Sequence, residues 1–245
     1  MANTVRETIK EITRTHLTTG KGRCYGQCLT AVGWVGGTLP ELYEEDGMVE
    51  LSMADVAGGA IVTGIALAGG RPIYVVRYQG FQWYNAASIV NYAAKSKEIW
   101  DRPCPVLVRS IAMEGGIGPV AGSSHHSLYH RMPGIKVIAP MTPNEYQLAY
   151  DSYMKDNDPY YISEHRKSYD NSEELEDVIS SSTVDFTIFP ISITRLEMKK
   201  LLKLSKEENI KLNIIHQLWI RPFSIPTAWK TSLKNSKYGG LVTDD

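Results

Sequence analysis

Apolar positions recur along this chain in two periods, and the periods alternate. Thr4 to Thr18 carries Val5, Ile9, Ile12 and Leu17 at helical spacing, with Asn3 or Thr4 placed to cap it. Met48 to Met53 reads as a short strand, and Val56 to Leu67 as a helix of small and apolar residues nearly all round. Arg71 to Tyr78 is a strand, Asn85 to Trp100 a helix, Pro105 to Ile111 a buried strand and Lys136 to Pro140 another. A helix over Thr142 to Asp156, with Thr142 as cap and Pro143 in its first turn, leads to a strand at Pro159 to Ser163. The alternation then continues with a strand over Val184 to Thr194, a helix over Arg195 to Asn209, and a strand over Lys211 to Trp219. A helix over Pro226 to Lys234 and a strand over Gly240 to Thr243 complete it. Apolar strands alternating with helices predict an α/β fold: a mainly parallel sheet with helices on both faces. Ligands of such sheets sit beyond the carboxyl ends of the strands, so the loops that follow strands are where chemistry is expected.

Composition divides the chain. Of its 20 glycines, only Gly239 and Gly240 lie beyond residue 166, and Ser168 to Ser182 is polar and acidic. The expected organisation is a first domain over 1–167, an acidic linker over 168–183, and a smaller α/β domain over 184–245. That last part holds three strand signals and ends on the third, which leaves an open edge. Either another chain covers it or the domain is incomplete. Over its 245 residues the chain is 43% hydrophobic and 22% charged, which excludes a disordered or collagen-like chain. The net charge of −1, from 26 basic and 27 acidic residues, offers no general field for nucleic acid. The N-terminal stretch has no apolar core of a signal peptide, and the longest apolar run, Val56 to Leu67, is too short to span a bilayer. A cytoplasmic protein is expected. Cys24, Cys28 and Cys104 are too few for a disulfide framework. The Cys24–Cys28 spacing lacks the further ligands of a zinc site, so buried apolar thiols and no metal are expected.

Three constellations could carry chemistry. Asp55 stands at a strand end and helix start. It either caps the helix or aims a carboxylate at a ligand nitrogen. The stretch from Tyr78 to Tyr84 holds four aromatics in seven residues with Gln79, Gly80 and Gln82 among them: either core, or a flat platform for a heteroaromatic ring. Glu114 to Ser127 is a glycine- and serine-rich loop ending in His125 and His126, which offers a proton donor or acceptor near neutral pH. It lacks the lysine of a phosphate loop, and no nucleophile elbow or dinucleotide fingerprint occurs anywhere.

In this order the constellations resemble the β subunit of the thiamine-diphosphate-dependent 2-oxo acid dehydrogenases of the pyruvate and branched-chain type, within the transketolase-like superfamily. The likeness runs from near Val5 to the end and is most specific over Ala54 to Tyr169. It is carried by DVAGGAIVTGIALAGGRPIYVV, by YQGF followed by IVNYAAK, and by PGIKVIAPMTPNEYQLAYDSYMKDNDPYYISEHRKSY. The resemblance implies a pyrimidine-binding domain followed by a transketolase-like C-terminal domain. It implies thiamine diphosphate as cofactor, with the diphosphate and magnesium held mainly by an alpha subunit that bears a Gly-Asp-Gly motif absent here. A heterotetramer of two alpha and two beta chains is implied, with a lipoyl acyltransferase as a further partner. Asp55 would share a proton with N1′ of the pyrimidine, and Phe81 would stack on that ring with Tyr78 beside it. His126, or His125 in its place, would bind the substrate carboxylate or assist acyl transfer. Three departures stand out. The family has Glu at Asp55, and one methylene fewer shortens the reach by about 1.5 Å. HHSLYHRMPG is several residues shorter than its counterpart, and the family continues beyond the point where this sequence stops. The alternatives are a non-catalytic or weakly active regulatory paralogue, or a split transketolase-like enzyme acting on sugar phosphates.

Overall fold

The computed structural model describes residues 3–20, 22–30, 35–113, 118–122 and 124–245. Glu114 to Ile117 and Ser123, part of the glycine- and serine-rich loop, lie outside the described residues.

The strands of the main sheet are β1 (Arg23–Gly26), β2 (Met48–Glu50), β3 (Pro72–Tyr78), β4 (Leu107–Ala112), β5 (Lys136–Ile138), β6 (Tyr160–His165) and β9 (Trp219–Arg221). They form a seven-stranded sheet in the order β2-β1-β3-β4-β6-β5-β9. All the pairings are parallel except the last, where β9 runs antiparallel to β5 with Val137 opposite Arg221. A second sheet of three parallel strands has the order β10-β7-β8, from β7 (Phe186–Pro190), β8 (Leu212–Ile214) and β10 (Gly240–Thr243).

The side-chain alternation of β3 shows why the main sheet is covered twice. Ile73 and Val75 point into one core, with Val5, Ile9 and Leu17 of α1 (Val5–Thr18) and Tyr146, Ala149 and Tyr153 of α6 (Pro143–Lys155). Tyr74 and Val76 point into the other, with Val62 and Ala66 of α2 (Asp55–Leu67) and Ala86, Ile89 and Ala94 of the next helical stretch. That stretch is α3 (Gln82–Ser88), a π-helical turn (Ile89–Ala93) and α4 (Ala94–Trp100). It starts three residues earlier than the periodicity suggests, immediately after Phe81. At α1, Thr4 accepts from the Glu7 amide while the Glu7 carboxylate accepts from the Thr4 amide, a complete capping box. Thr142 caps α6 with Pro143 in its first turn, as expected.

Two sequence expectations change. β1 carried no apolar run and was not anticipated. The single strand expected over Lys211 to Trp219 is two: β8 stays in the small sheet, and after Gln217 the chain crosses to add β9 to the edge of the large one. The apolar pattern is continuous across both pieces because both are buried, and periodicity reports burial rather than the partner strand. Helix α7 (Met198–Glu207) packs Met198 against Ile188 and Ile214 in a small core of the second sheet. The segment between the sheets is pinned at both ends. Tyr169 is fully buried, and Val178 bridges Ile214. The second sheet is also tied to α6: Arg195, itself buried, donates to the Glu145 carboxylate and to the carbonyl of Ala139. β10 forms one edge of the small sheet, with Val242 exposed.

Candidate functional site

Because the main strands run parallel, their carboxyl ends meet at one rim of the sheet, and the candidate residues follow those ends. Gln27 follows β1, Asp55 opens the helix after β2, Tyr78 and Phe81 close β3, and Ser163 and His165 close β6.

Asp55 does not cap its helix. The cap position is Ala54, with no side-chain hydrogen bond, and Asp55 is the first helical residue. Its Oδ1 instead accepts from two side-chain amides, Gln27 Nε2 at 3.3 Å and Asn85 Nδ2 at 3.1 Å. Asn85 is buried and fully committed: its Nδ2 also donates to the Phe81 carbonyl at 3.0 Å, and its Oδ1 accepts from the Tyr74 hydroxyl. One asparagine thus fixes the carboxylate and the turn that carries Phe81. The approach depends on Gly59, where a Cβ would overlap the Asn85 carbonyl, so α2 and α3 pack at backbone distance. The Phe81 and Tyr78 rings are half-buried, 6.1 Å apart between centroids and tilted by 32°. The Arg77 guanidinium lies 4.6 Å from the centre of the Tyr78 ring. Trp83 and Tyr84, from the same aromatic run, are exposed.

Gln79, named in the aromatic stretch but given no role there, is the joint of the site. It is fully buried, its Nε2 donates to Ser163 Oγ at 2.9 Å and to the Glu164 carbonyl at 3.1 Å, and its Oε1 accepts from the His125 amide at 2.7 Å. It therefore ties the end of β3, the end of β6 and the histidine loop together. His125 accepts from Trp83 Nε1 at 3.1 Å, and burial together with the neighbouring His126 holds its ring below the usual histidine pKa. His126 is buried and turns the other way. Its Nδ1 lies 2.8 Å from Ser124 Oγ and 3.2 Å from Ser163 Oγ, and its Nε2 lies 2.7 Å from Asp244 Oδ2. Asp244 follows β10, so the small sheet reaches the histidine loop. Its neighbour Asp245 lies 3.6 Å from His165 Nε2, and burial raises the Asp245 carboxyl above its ordinary pKa.

Of the three cysteines, Cys24 and Cys104 are buried as expected and Cys28 is only partly so. Burial pushes Cys24 up to about 12 and Cys104 to about 11, so neither is a nucleophile at neutral pH. No group of three or more His, Cys, Asp or Glu placed to hold a metal stands among the described residues. No helix among them is long and apolar enough to cross a membrane.

The family model "Transketolase, pyrimidine binding domain" matches residues 20–171, the span that contains Gln27, Asp55, Gln79, Phe81, Asn85 and both histidines. The chain belongs to this family. Among curated relatives it is 28% identical over 144 residues to the 2-oxoisovalerate dehydrogenase subunit beta of Bacillus subtilis and 30% identical over 137 residues to that organism's pyruvate dehydrogenase E1 component subunit beta. Each match covers 54% of this chain and 41% of the relative, so the chain matches less than half the length of these proteins. Among solved structures it resembles the transketolase of Campylobacter jejuni (TM-score 0.74, 15% identity, 98% of this chain and 39% of that one). It also resembles a split-gene transketolase described as an inactive beta4 tetramer (TM-score 0.64, 13% identity, 89% and 72%). At these identities the structural likeness shows the fold, and the transketolase-like α/β architecture is the one described above.

Proposed function

We propose that the chain is the β-type subunit of a thiamine-diphosphate-dependent enzyme that decarboxylates a 2-oxo acid and, with an alpha partner, passes the acyl group to a lipoyl carrier. The observation that carries this reading is the state of Asp55. A carboxylate at a helix start that leaves its own helix uncapped, and is held by two side-chain amides, is positioned for something other than the helix. The residues fit an aminopyrimidine: a half-buried carboxylate, a half-buried Phe81 ring, and one buried asparagine that fixes both. When bound, the cofactor would supply the electron sink for decarboxylation. This chain's residues would hold a proton at the Asp55 carboxylate, orient the ring against Phe81 with Tyr78 beside it, and present the histidine loop to the substrate. The diphosphate and magnesium are assigned to the alpha partner, and the cytoplasm is the proposed compartment.

The surface supports a partner. Met53, just before α2, and Val56, Ile61, Trp83, Tyr84 and Tyr92, on α2 and the helical stretch packed against it, are all exposed. Monomeric proteins rarely leave so much large apolar surface on neighbouring elements.

The test is to co-express the chain with an alpha subunit bearing the Gly-Asp-Gly motif. Decarboxylation of a panel of 2-oxo acids is then measured with thiamine diphosphate and magnesium, against ketose phosphates. Turnover of a 2-oxo acid by the complex is expected. Turnover of ketose phosphates alone would overturn the reading in favour of a sugar-transferring enzyme, and a stable complex inactive on both would favour the regulatory paralogue.

A further inference from the structure

The acidic pair after β10 has no place in the site as the resemblance draws it, yet it supplies one of the shortest contacts to His126. The ring is gripped at both nitrogens. At Nε2 the partner is the Asp244 carboxylate, 2.7 Å away. An ionised carboxylate only accepts, so the hydrogen of that contact sits on Nε2. At Nδ1 the partners are the hydroxyls of Ser124 at 2.8 Å and Ser163 at 3.2 Å, which can donate or accept. Ser163 already receives Gln79 Nε2, and the other acceptor near Ser124, Gln79 Oε1, is 3.5 Å away and taken by the His125 amide. Among the described residues the Ser124 hydrogen therefore has one good acceptor, His126 Nδ1.

We propose that Asp244 is a positioning residue that holds neutral His126 as its Nε2–H tautomer, so that the ring gains and loses its proton at Nδ1 through the Ser124 hydroxyl. Two cavities lie at this cluster. One, of about 400 Å³, is lined by His126 and Asp244 themselves with Ile191, Trp219 and Phe223, and the Asp244 contact occupies Nε2. The other, of about 380 Å³, is reached from the ring through Ser124, which lines it with His165, Lys167 and Thr194. A proton leaving a molecule in this second cavity bonds to Ser124 Oγ while the hydrogen of that hydroxyl passes to His126 Nδ1. The return runs the same steps backward, and the ring need not rotate in either direction. The relay rests on the proposed function only for the use to which the proton is put. The tautomer does not depend on it.

The experiment is two-bond nitrogen–proton NMR on the full chain labelled with ¹⁵N-histidine, at a pH where the ring is neutral, with His126→Gln used for assignment. Nδ1 is expected to show the shift of an unprotonated nitrogen and Nε2 that of a protonated one. Asp244→Ala should move the ring toward a mixture of tautomers, Asp244→Glu should restore the original, and unchanged amide spectra in the variants confirm the fold. In the alpha–beta complex, Asp244→Ala should lower kcat at least about tenfold, with KM within about twofold, and Asp244→Glu should restore it. An Nδ1–H tautomer in the wild type, or an unchanged tautomer in Asp244→Ala, would overturn the proposal. So would an unchanged kcat for Asp244→Ala in a complex whose wild type is active. If the tautomer behaves as expected but the complex turns over no 2-oxo acid, the positioning role holds and the proposed reaction is what fails.

Discussion

Replacing Asp55 by Asn separates the chemistry of this site from its architecture. The substitution keeps the side chain's shape and an acceptor oxygen, so the bonds from Gln27 at 3.3 Å and Asn85 at 3.1 Å can persist with the amide turned to present that oxygen. The loss to the fold is then confined to one negative charge in the first turn of α2, a contribution of about 0.3–1 kcal/mol. Against a typical domain stability of about 5–15 kcal/mol the protein remains folded. If the carboxylate shares a proton with the cofactor, its loss should lower turnover by about 10²–10⁴-fold, or about 3–5 kcal/mol of barrier. The two magnitudes differ enough that unfolding cannot account for the activity loss. The assay is carbon dioxide release by the alpha–beta complex at saturating thiamine diphosphate and magnesium, with thermal unfolding of the same samples. An Asp55→Asn complex that retains half of wild-type turnover would refute the reasoning. Asp55→Glu adds about 1.5 Å of reach and should remain active. Activity in the Glu variant with none in the wild type would show that this chain has lost proton activation.

Four further outcomes are expected. Gly59→Ala should cost about 1–3 kcal/mol by overpacking α2 against the Asn85 carbonyl and should weaken thiamine diphosphate binding, read by urea unfolding and cofactor titration. Gly64→Ala, where nothing approaches an added Cβ, should be neutral or stabilising. Glu164→Gln should lower stability by about 3–5 kcal/mol. It strands Arg109, which is 3% exposed and pairs with Glu164 at 2.5 Å, and a urea-derived loss under about 1 kcal/mol would contradict this. Burial and the nearby Arg195 hold His216 down to about 4. The unfolded chain therefore takes up this proton first as pH falls below about 6.5, and the stabilising difference is complete above that pH and lost progressively toward pH 4. The urea midpoint of the wild type should fall from pH 7.5 to pH 5, and His216→Gln should flatten that fall.

What the sequence disclosed followed from local physics. The alternation of Ile73, Tyr74, Val75 and Val76 is a strand buried on two faces, and it is one. Thr142 before Pro143 is a helix start, and it is one. β1 escaped notice because four residues, RCYG, form no pattern by themselves and become a strand only between β2 and β3. The site divides in the same way. Asp55, Phe81 and the histidines are reactive or aromatic residues in loops, and they draw attention by type. Gln79 and Asn85 are common polar residues whose importance lies in being buried with every hydrogen bond made, which only the fold reveals. Local reasoning also made capping a live alternative for Asp55. That alternative failed because two amides from distant segments compete for the carboxylate, a tertiary effect outside any sequence window.

The second sheet shows why local pattern, which pointed to the histidines, could not disclose what orients them. As three short strands with an exposed edge it looks like an appendage. Yet β9 leaves it to complete the edge of the main sheet, Arg195 anchors it to Glu145 on α6, and Asp244 meets His126. A proton acceptor on a glycine- and serine-rich loop has little to fix its ring, since such loops lack packed side chains around them. Here the orienting groups come from three places in the chain: Ser124 on the loop itself, Ser163 at the end of β6, and Asp244 beyond β10. Precision in the placement of a ring needs partners on rigid elements. The small sheet, held at β9 and at Arg195, supplies one that the loop could not provide alone.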